Sequence, residues 1–174
     1  MNPTQTKFKT LFLCTGNSAR SIMAEFIMKK IAPDKFEVVS AGASPKPAPH
    51  PMALAVLRDH YQLDVSSARS KSWNEFDGVA FDFVITLCDN ARETCPLWPG
   101  QPIIAHWPSP DPAEFEGTGE ARLNVFWQVA RQIHRRLELL ASLPFEKLDL
   151  LRLDAATKEI GQRERITIPT PTTP

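Results

Sequence analysis

Apolar residues run almost unbroken from Phe8 to Leu13 and end at Cys14. A short apolar run bounded by small polar residues predicts a strand buried on both faces. Thr15-Gly16-Asn17-Ser18-Ala19 then reads as a loop of small residues. From Ser21 the period changes: Met23, Phe26, Ile27 and Ile31 recur at helical spacing until Pro33 stops them. The opening unit is therefore strand, small-residue loop, helix. Phe36 to Val39 predicts a second short strand, and Pro45, Pro47, Pro49 and Pro51 stiffen the loop that leads into a helix over Met52 to His60. Phe81 to Leu87 is the clearest strand, apolar on both faces as the centre of a parallel sheet requires. A fourth is predicted over Pro102 to Trp107. Between Glu120 and Ala141, Leu123, Phe126, Ala130, Ile133, Leu137 and Leu140 step by three and four, which is one face of a long amphipathic helix. A last helix is predicted over roughly Phe145 to Ile160, and the Pro- and Thr-rich stretch from Thr167 to Pro174 reads as a disordered tail.

Strands alternating with helices predict an α/β fold, with parallel strands, right-handed crossovers and helices on both faces of the sheet. Ligands of such folds sit beyond the carboxyl ends of the strands. Cys14, Cys88 and the loop carrying Asp111 all fall there. The pattern divides the chain into a main domain over residues 1–143 and a C-terminal extension over 144–174.

Composition narrows the function more than the fold. At 174 residues and 43% hydrophobic content the chain can bury a substantial core without disulfides or a structural metal. Twenty Lys plus Arg against 20 Asp plus Glu leave no basic excess, which argues against nucleic acid and membrane surfaces as partners. MNPTQTKFKT has no apolar stretch to act as a signal peptide, and no run is long enough to span a bilayer; the expected location is the cytoplasm. Three Cys is an odd count for a reducing compartment, so thiol chemistry is more interesting here than a disulfide framework.

Cys14 and Arg20 bracket the five small residues where the first strand becomes a helix. A helix start offers unpaired N–H groups and the positive end of the macrodipole, and small residues let those amides close around an oxyanion. The same field favours thiolate over thiol at Cys14, with Ser21 placed to donate to the sulfur, while the planar fork of Arg20 can clamp two oxyanion oxygens. The plainer alternative is a buried Cys at a strand end beside a surface Arg.

The segments LFLCTGNSARSIMAE, VVSAGASP, SKSWNEF, FVITLCDNARETCP and AHWPSPDPAEFEG, in that order from Phe8 to about Ala141, resemble arsenate reductases of the low-molecular-weight tyrosine phosphatase fold, thioredoxin-coupled type. The resemblance implies a four-stranded parallel sheet, with Cys14 as nucleophile, Thr15, Gly16, Asn17, Ser18, Ala19 and Arg20 around the oxyanion, Ser21 beside the thiol and Asp111 as proton donor. It also implies a thiol relay. Cys14 attacks arsenic, Cys88 attacks the Cys14 sulfur and releases arsenite, and Cys95 attacks Cys88 to leave a disulfide for an external dithiol such as thioredoxin. Glutaredoxin- or small-thiol-linked relatives share the Cys14 loop, so the donor stays open. No tightly bound cofactor is implied.

The spacing of the last two cysteines adds a constraint. A continuous helix from 88 to 95 would separate their Cα atoms by roughly 10 Å, whereas a disulfide tolerates about 4.4 to 6.8 Å. The polar stretch Asp89 to Thr94 must therefore unwind on oxidation. Zinc does not suit the C-x6-C spacing with His106 as a lone imidazole, so no metal site is expected; His106, Trp98 and Trp107 read as packing residues.

Pro110 and Pro112 restrict the backbone on both sides of Asp111. By residue type alone Asp111 is as readily a solvated carboxylate, as are Glu114 and Glu116. Phosphatases of this fold place aromatic residues just after the Asp-Pro; here Ala113 and Glu114 follow, and Ala19 and Ile22 replace a Cys and a Pro of that pattern. Those differences favour a small inorganic oxyanion over an aryl phosphate. Some of the resembling reductases hold potassium at positions matching Asn17, Glu25 and Ser40, with help from an Asp that here is Ser70; Lys71 either takes the cation's place and supports Asn17 or is an exposed surface lysine. Two other activities fit the same residues less well: a phosphatase acting through Cys14 alone, and an arsenite-binding or redox-sensing protein, for which the Arg20 cradle would be idle.

Overall fold

A computed structural model describes residues 6–169. Four strands, β1 (Phe8–Cys14), β2 (Phe36–Gly42), β3 (Phe83–Thr86) and β4 (Ile103–His106), form one sheet in the order β2-β1-β3-β4 with every pair parallel. Five α-helices accompany them: α1 (Arg20–Ile31), α2 (Pro51–Asp59), α3 (Asp89–Thr94), α4 (Gly119–Ala141) and α5 (Leu150–Ile160). The α/β class and the parallel sheet are as the hydrophobic pattern predicts.

Period-two alternation divides each central strand between two apolar layers. Phe12, Phe83 and Ile85 face the larger core, built with α1, α2, α4 and α5, whereas Leu11, Leu13 and Val84 face a smaller one. That second face is covered thinly, by α3, by a short 3-10 turn over Trp73–Phe76, and by Phe81 and Trp98. The two faces therefore differ in what holds them: long helices on one side, short and easily remodelled segments on the other.

Two boundaries depart from the pattern for identifiable reasons. β2 continues to Gly42, because the polar Ser40 that interrupts the apolar run is fully buried and hydrogen-bonded. The expected helix from Phe145 is split: Phe145–Lys147 is a 3-10 turn, and α5 begins only after Asp149, whose carboxylate caps it by accepting from the Arg152 N–H.

α5 packs on β4 and α4. The Trp107 indole, fully buried, donates to the Thr157 carbonyl at 2.9 Å. A Cβ on Gly161 would lie 2.2 Å from the His106 carbonyl oxygen, so only glycine lets the end of α5 approach β4 this closely. Ile166 and Ile168 also pack against the main core. Of the Pro- and Thr-rich tail, Thr170 to Pro174 lie outside the described residues. No helix among the described residues is long and apolar enough to cross a membrane.

Candidate active site

Cys14 ends β1 and is buried, and the loop after it delivers Arg20 as the first residue of α1. Thr15, Gly16, Ser18, Ala19 and Arg20 line one pocket with Cys14; Ser44, Lys46, Cys88, Asn90, Asp111 and Glu114 complete its wall. Cys14, Arg20, Cys88 and Asp111 converge there, and Cys95 does not.

Asn17 is the loop residue that does not line the pocket. It is fully buried with φ at 42°, in the left-handed region that asparagine tolerates better than most residues. Its side chain makes the loop rigid from behind. The amide donates to Ser21 Oγ at 2.8 Å and Ser40 Oγ at 2.9 Å, its Oδ1 accepts from the Lys71 backbone N–H at 2.9 Å, and its carbonyl accepts from the Ser70 hydroxyl at 2.7 Å. Because the amide donates to Ser21, the Ser21 proton is left for the Cys14 sulfur, 2.8 Å away. Gly42 completes the fit: a Cβ there would stand 2.6 Å from the Thr15 carbonyl oxygen.

Beneath Asn17 lies a buried charge pair. The Lys71 ammonium donates to Glu25 Oε2 at 3.3 Å, Ser40 Oγ at 3.4 Å and the Arg69 carbonyl at 3.3 Å, while the Ser40 hydroxyl donates to the same Glu25 oxygen. Burial lowers the Lys71 pKa and Glu25 opposes that shift. The ammonium and its backbone N–H thus brace both sides of the Asn17 network.

Asp111 is mounted by its own loop. Oδ1 accepts from the Ala113 N–H at 3.0 Å, capping the 3-10 turn Pro112–Glu114, and Oδ2 pairs with Arg20 at 3.0 Å. Arg20 also donates to the Ser109 carbonyl at 3.1 Å. The cation therefore bridges the anion loop and the acid loop.

Cys88 caps α3: its sulfur accepts from the Ala91 N–H at 3.4 Å. It also lies 3.2 Å from Thr15 Oγ1. Asn90 donates to that oxygen at 3.1 Å, leaving the Thr15 proton for the sulfur. Two donors thus face the Cys88 sulfur. Cys95 sits at the other end of α3, half-buried, and only Ala91 of the helix between them is buried. All three thiols are free.

Residues 9–149 match the low molecular weight phosphotyrosine protein phosphatase family. The chain belongs to that family. Among its curated relatives, an arsenate reductase of Oceanobacillus iheyensis is 38% identical over 130 residues, covering 75% of this chain and 92% of that protein. Among solved structures, an arsenate reductase in a phosphate-binding state is similar at TM-score 0.63 and 31% identity, covering 79% of this chain and 98% of the other. A thioredoxin-dependent arsenate reductase of Corynebacterium glutamicum is similar at TM-score 0.55 and 26% identity, over 79% of this chain and 65% of the other.

No aromatic side chain among the described residues lines the pocket. Several participants carry no sequence signal. Lys46 reaches the pocket because its N–H donates to the Gly16 carbonyl, 30 residues away in the chain. His106 does more than pack: its ring lies 2.9 Å from Thr86 Oγ1 and 3.0 Å from Asp89 Oδ1, tying the first turn of α3 to β4. Burial lowers its pKa, against the opposing contribution of Asp89. Arg136, by contrast, has a signal in the sequence, a cation on the apolar face of α4. Among the described residues no cluster of three or more His, Cys, Asp or Glu side chains could hold a metal ion.

Proposed function

We propose that this protein reduces arsenate to arsenite through a relay of its three thiols and is regenerated by thioredoxin. The observation that carries the reading is Cys88 on the wall of the Cys14 pocket, its sulfur in contact with the Thr15 hydroxyl and the Ala91 N–H, in a pocket without aromatic lining among the described residues. Hydrolysis of an aryl phosphate needs neither feature. The names of the relatives point the same way.

In the first step the Cys14 thiolate attacks arsenic, and one arsenate oxygen leaves as water with a proton from Asp111. Arg20, already in reach of both loops, turns its fork from Asp111 to the oxyanion and frees the carboxyl group. In the second step the Cys88 thiolate attacks the Cys14 sulfur. The S–As bond breaks with its electron pair going to arsenic, so As(V) becomes As(III), arsenite departs and a Cys14–Cys88 disulfide remains. Cys95 then attacks Cys88, Cys14 leaves as thiolate, and the Cys88–Cys95 disulfide passes to the external dithiol. This exchange requires α3 to unwind, at low cost because only Ala91 is buried in it. Asn17 and Ser21 hold the loop and the first thiolate; Thr15, Gly16, Ser18 and Ala19 enclose the oxyanion.

Coupled turnover tests this reading. With thioredoxin, its reductase and NADPH, arsenate is expected to sustain NADPH oxidation, and glutathione with glutaredoxin is expected to support much less. Equal rates with both donors would overturn the assignment of thioredoxin. No NADPH oxidation with either would overturn the reductase reading.

The Lys71 ammonium takes the role of a bound cation beneath Asn17. Exchanging sodium for potassium at constant ionic strength is therefore expected to leave the rate unchanged, and a several-fold gain would contradict this.

A further inference from the structure

Trp98 is 9% exposed, yet its indole N–H has no hydrogen-bond acceptor among the described residues. Folded proteins rarely leave a buried donor unpaired, and the exceptions often serve a state other than the resting one. The ring is firmly held. It meets Phe81 edge to face at 5.5 Å, and Phe81 meets Phe76 in the same way at 6.1 Å. These rings belong to the smaller apolar layer beneath α3, against which both Cys88 and Cys95 pack.

Cys95 precedes Trp98 by the two residues Pro96 and Leu97 and shares that layer. Its S–H points to the Pro96 carbonyl, 3.6 Å away, so the sulfur lone pairs are turned from that contact. Burial raises the Cys95 thiol and the Trp98 N–H opposes it; no charged group is among the causes. Asp89, Arg92 and Glu93 on α3 are exposed, Glu75 is paired with Arg69, and Asp77 lies in the turn beyond Phe76. Cys88 is the other titratable group on the layer. Among the described residues the last thiol of the relay thus lacks a hydroxyl partner of the kind that Ser21 gives Cys14 and Thr15 gives Cys88, and the unpaired Trp98 N–H shares its layer.

We propose that Trp98 is a positioning residue for Cys95: its indole N–H becomes the hydrogen-bond donor to the Cys95 thiolate as that thiolate forms. The proposal rests on the reading of Cys95 as the outgoing thiol. When Cys95 loses its proton to solvent, the orphaned N–H gains a charged acceptor, which is a stronger bond than one to a neutral thiol. The thiolate then attacks the Cys88 sulfur of the Cys14–Cys88 disulfide, forming the Cys88–Cys95 bond as Cys14 leaves with the electron pair. Because Trp98 stays anchored on Phe81, Cys95 is held while residues 89–94 unwind.

The test is the pH dependence of Cys95 alkylation by iodoacetamide, read by mass spectrometry of the peptide carrying it, in unmodified protein and in Trp98→Phe. Phenylalanine keeps an aromatic ring against Phe81 and removes the N–H. The midpoint for Cys95 is expected to rise by roughly half a pH unit or more, with Cys14 and Cys88 unmoved. A role in packing alone would change the Cys95 rate by one factor at every pH, and an unshifted midpoint overturns the proposal. A second measurement needs no Trp98 variant: the Trp98 indole proton resonance is expected to titrate with Cys95 and to lose that titration in Cys95→Ala. A resonance insensitive to Cys95 ionisation also overturns it. Both measurements are made without arsenate, so failure of the relay, seen as arsenate turnover that forms no Cys88–Cys95 disulfide, is a separate result.

Discussion

Arsenate reduction is expected to fall by at least about 10³-fold in Cys88→Ser, while hydrolysis of a small aryl phosphate stays close to the unmodified level. The two activities part because they share only the first half of the chemistry. Cys14, Arg20 and Asp111 suffice to form a covalent oxyanion adduct and, for phosphate, to let water release it. Reducing arsenic requires a second sulfur to take the Cys14 sulfur, and serine cannot supply it. Serine does preserve the contact with Thr15 Oγ1, now 3.2 Å from Cys88, so the pocket wall keeps its shape. Steady-state kinetics with both substrates checks this. Equal losses of both activities would mean that Cys88 shapes the pocket without entering the reaction.

The second large effect is on stability. Arg136 is completely buried, with its pKa pushed down to about 10 by desolvation, and among the described residues it has no carboxylate partner within bonding distance. Its guanidinium instead donates to the Pro108 carbonyl at 2.9 Å, Ser109 Oγ at 3.3 Å, the Gly161 carbonyl at 3.0 Å, and the Arg163 carbonyl at 3.1 and 3.0 Å. Arg136→Met fills much of the volume and regains the cost of burying a charge, but it strands three carbonyls. Each stranded group costs about 1–3 kcal/mol, so the orphaned acceptors win, with a net loss of about 2–4 kcal/mol. For a chain of this size that lowers Tm by about 5–15 °C. The loss is not confined to stability. Ser109 also accepts from Arg20 and stands two residues before Asp111, so the acid loop loosens and kcat falls with Tm. Thermal melts and kinetics on the variant check both; an unchanged Tm would show that water replaces the guanidinium at little cost.

The residues that could be read from the chain are those whose chemistry is local. A small-residue loop between an apolar strand and an amphipathic helix announces Cys14 and Arg20, and two prolines announce the rigidity around Asp111. Ser40 carries no pattern of its own: it follows an apolar run, the resemblance alone groups it with Asn17 and Glu25, and the fold buries it in hydrogen bonds to both. Asn17 lies in the predicted oxyanion loop, yet its side chain braces the loop from behind, which spacing alone does not distinguish from lining the pocket. Lys46, Thr15 opposite Cys88, and His106 against Asp89 act through contacts across 17 to 73 residues of chain, with no periodic signature. Arg136 was visible in principle as a cation on an apolar helical face, but its acceptors are backbone carbonyls that any sequence would supply.

The most direct measurement of the relay is a time course of disulfide mapping on Cys95→Ser mixed with arsenate and no external reductant. The account predicts one arsenite per protein chain, released together with a Cys14–Cys88 disulfide, and then arrest, since no third thiol reopens Cys14. When thioredoxin, its reductase and NADPH are added, the arrested variant is expected to stay slow. Sustained multiple turnover by Cys95→Ser, or arsenite released with Cys14 and Cys88 both still reduced, would contradict the account.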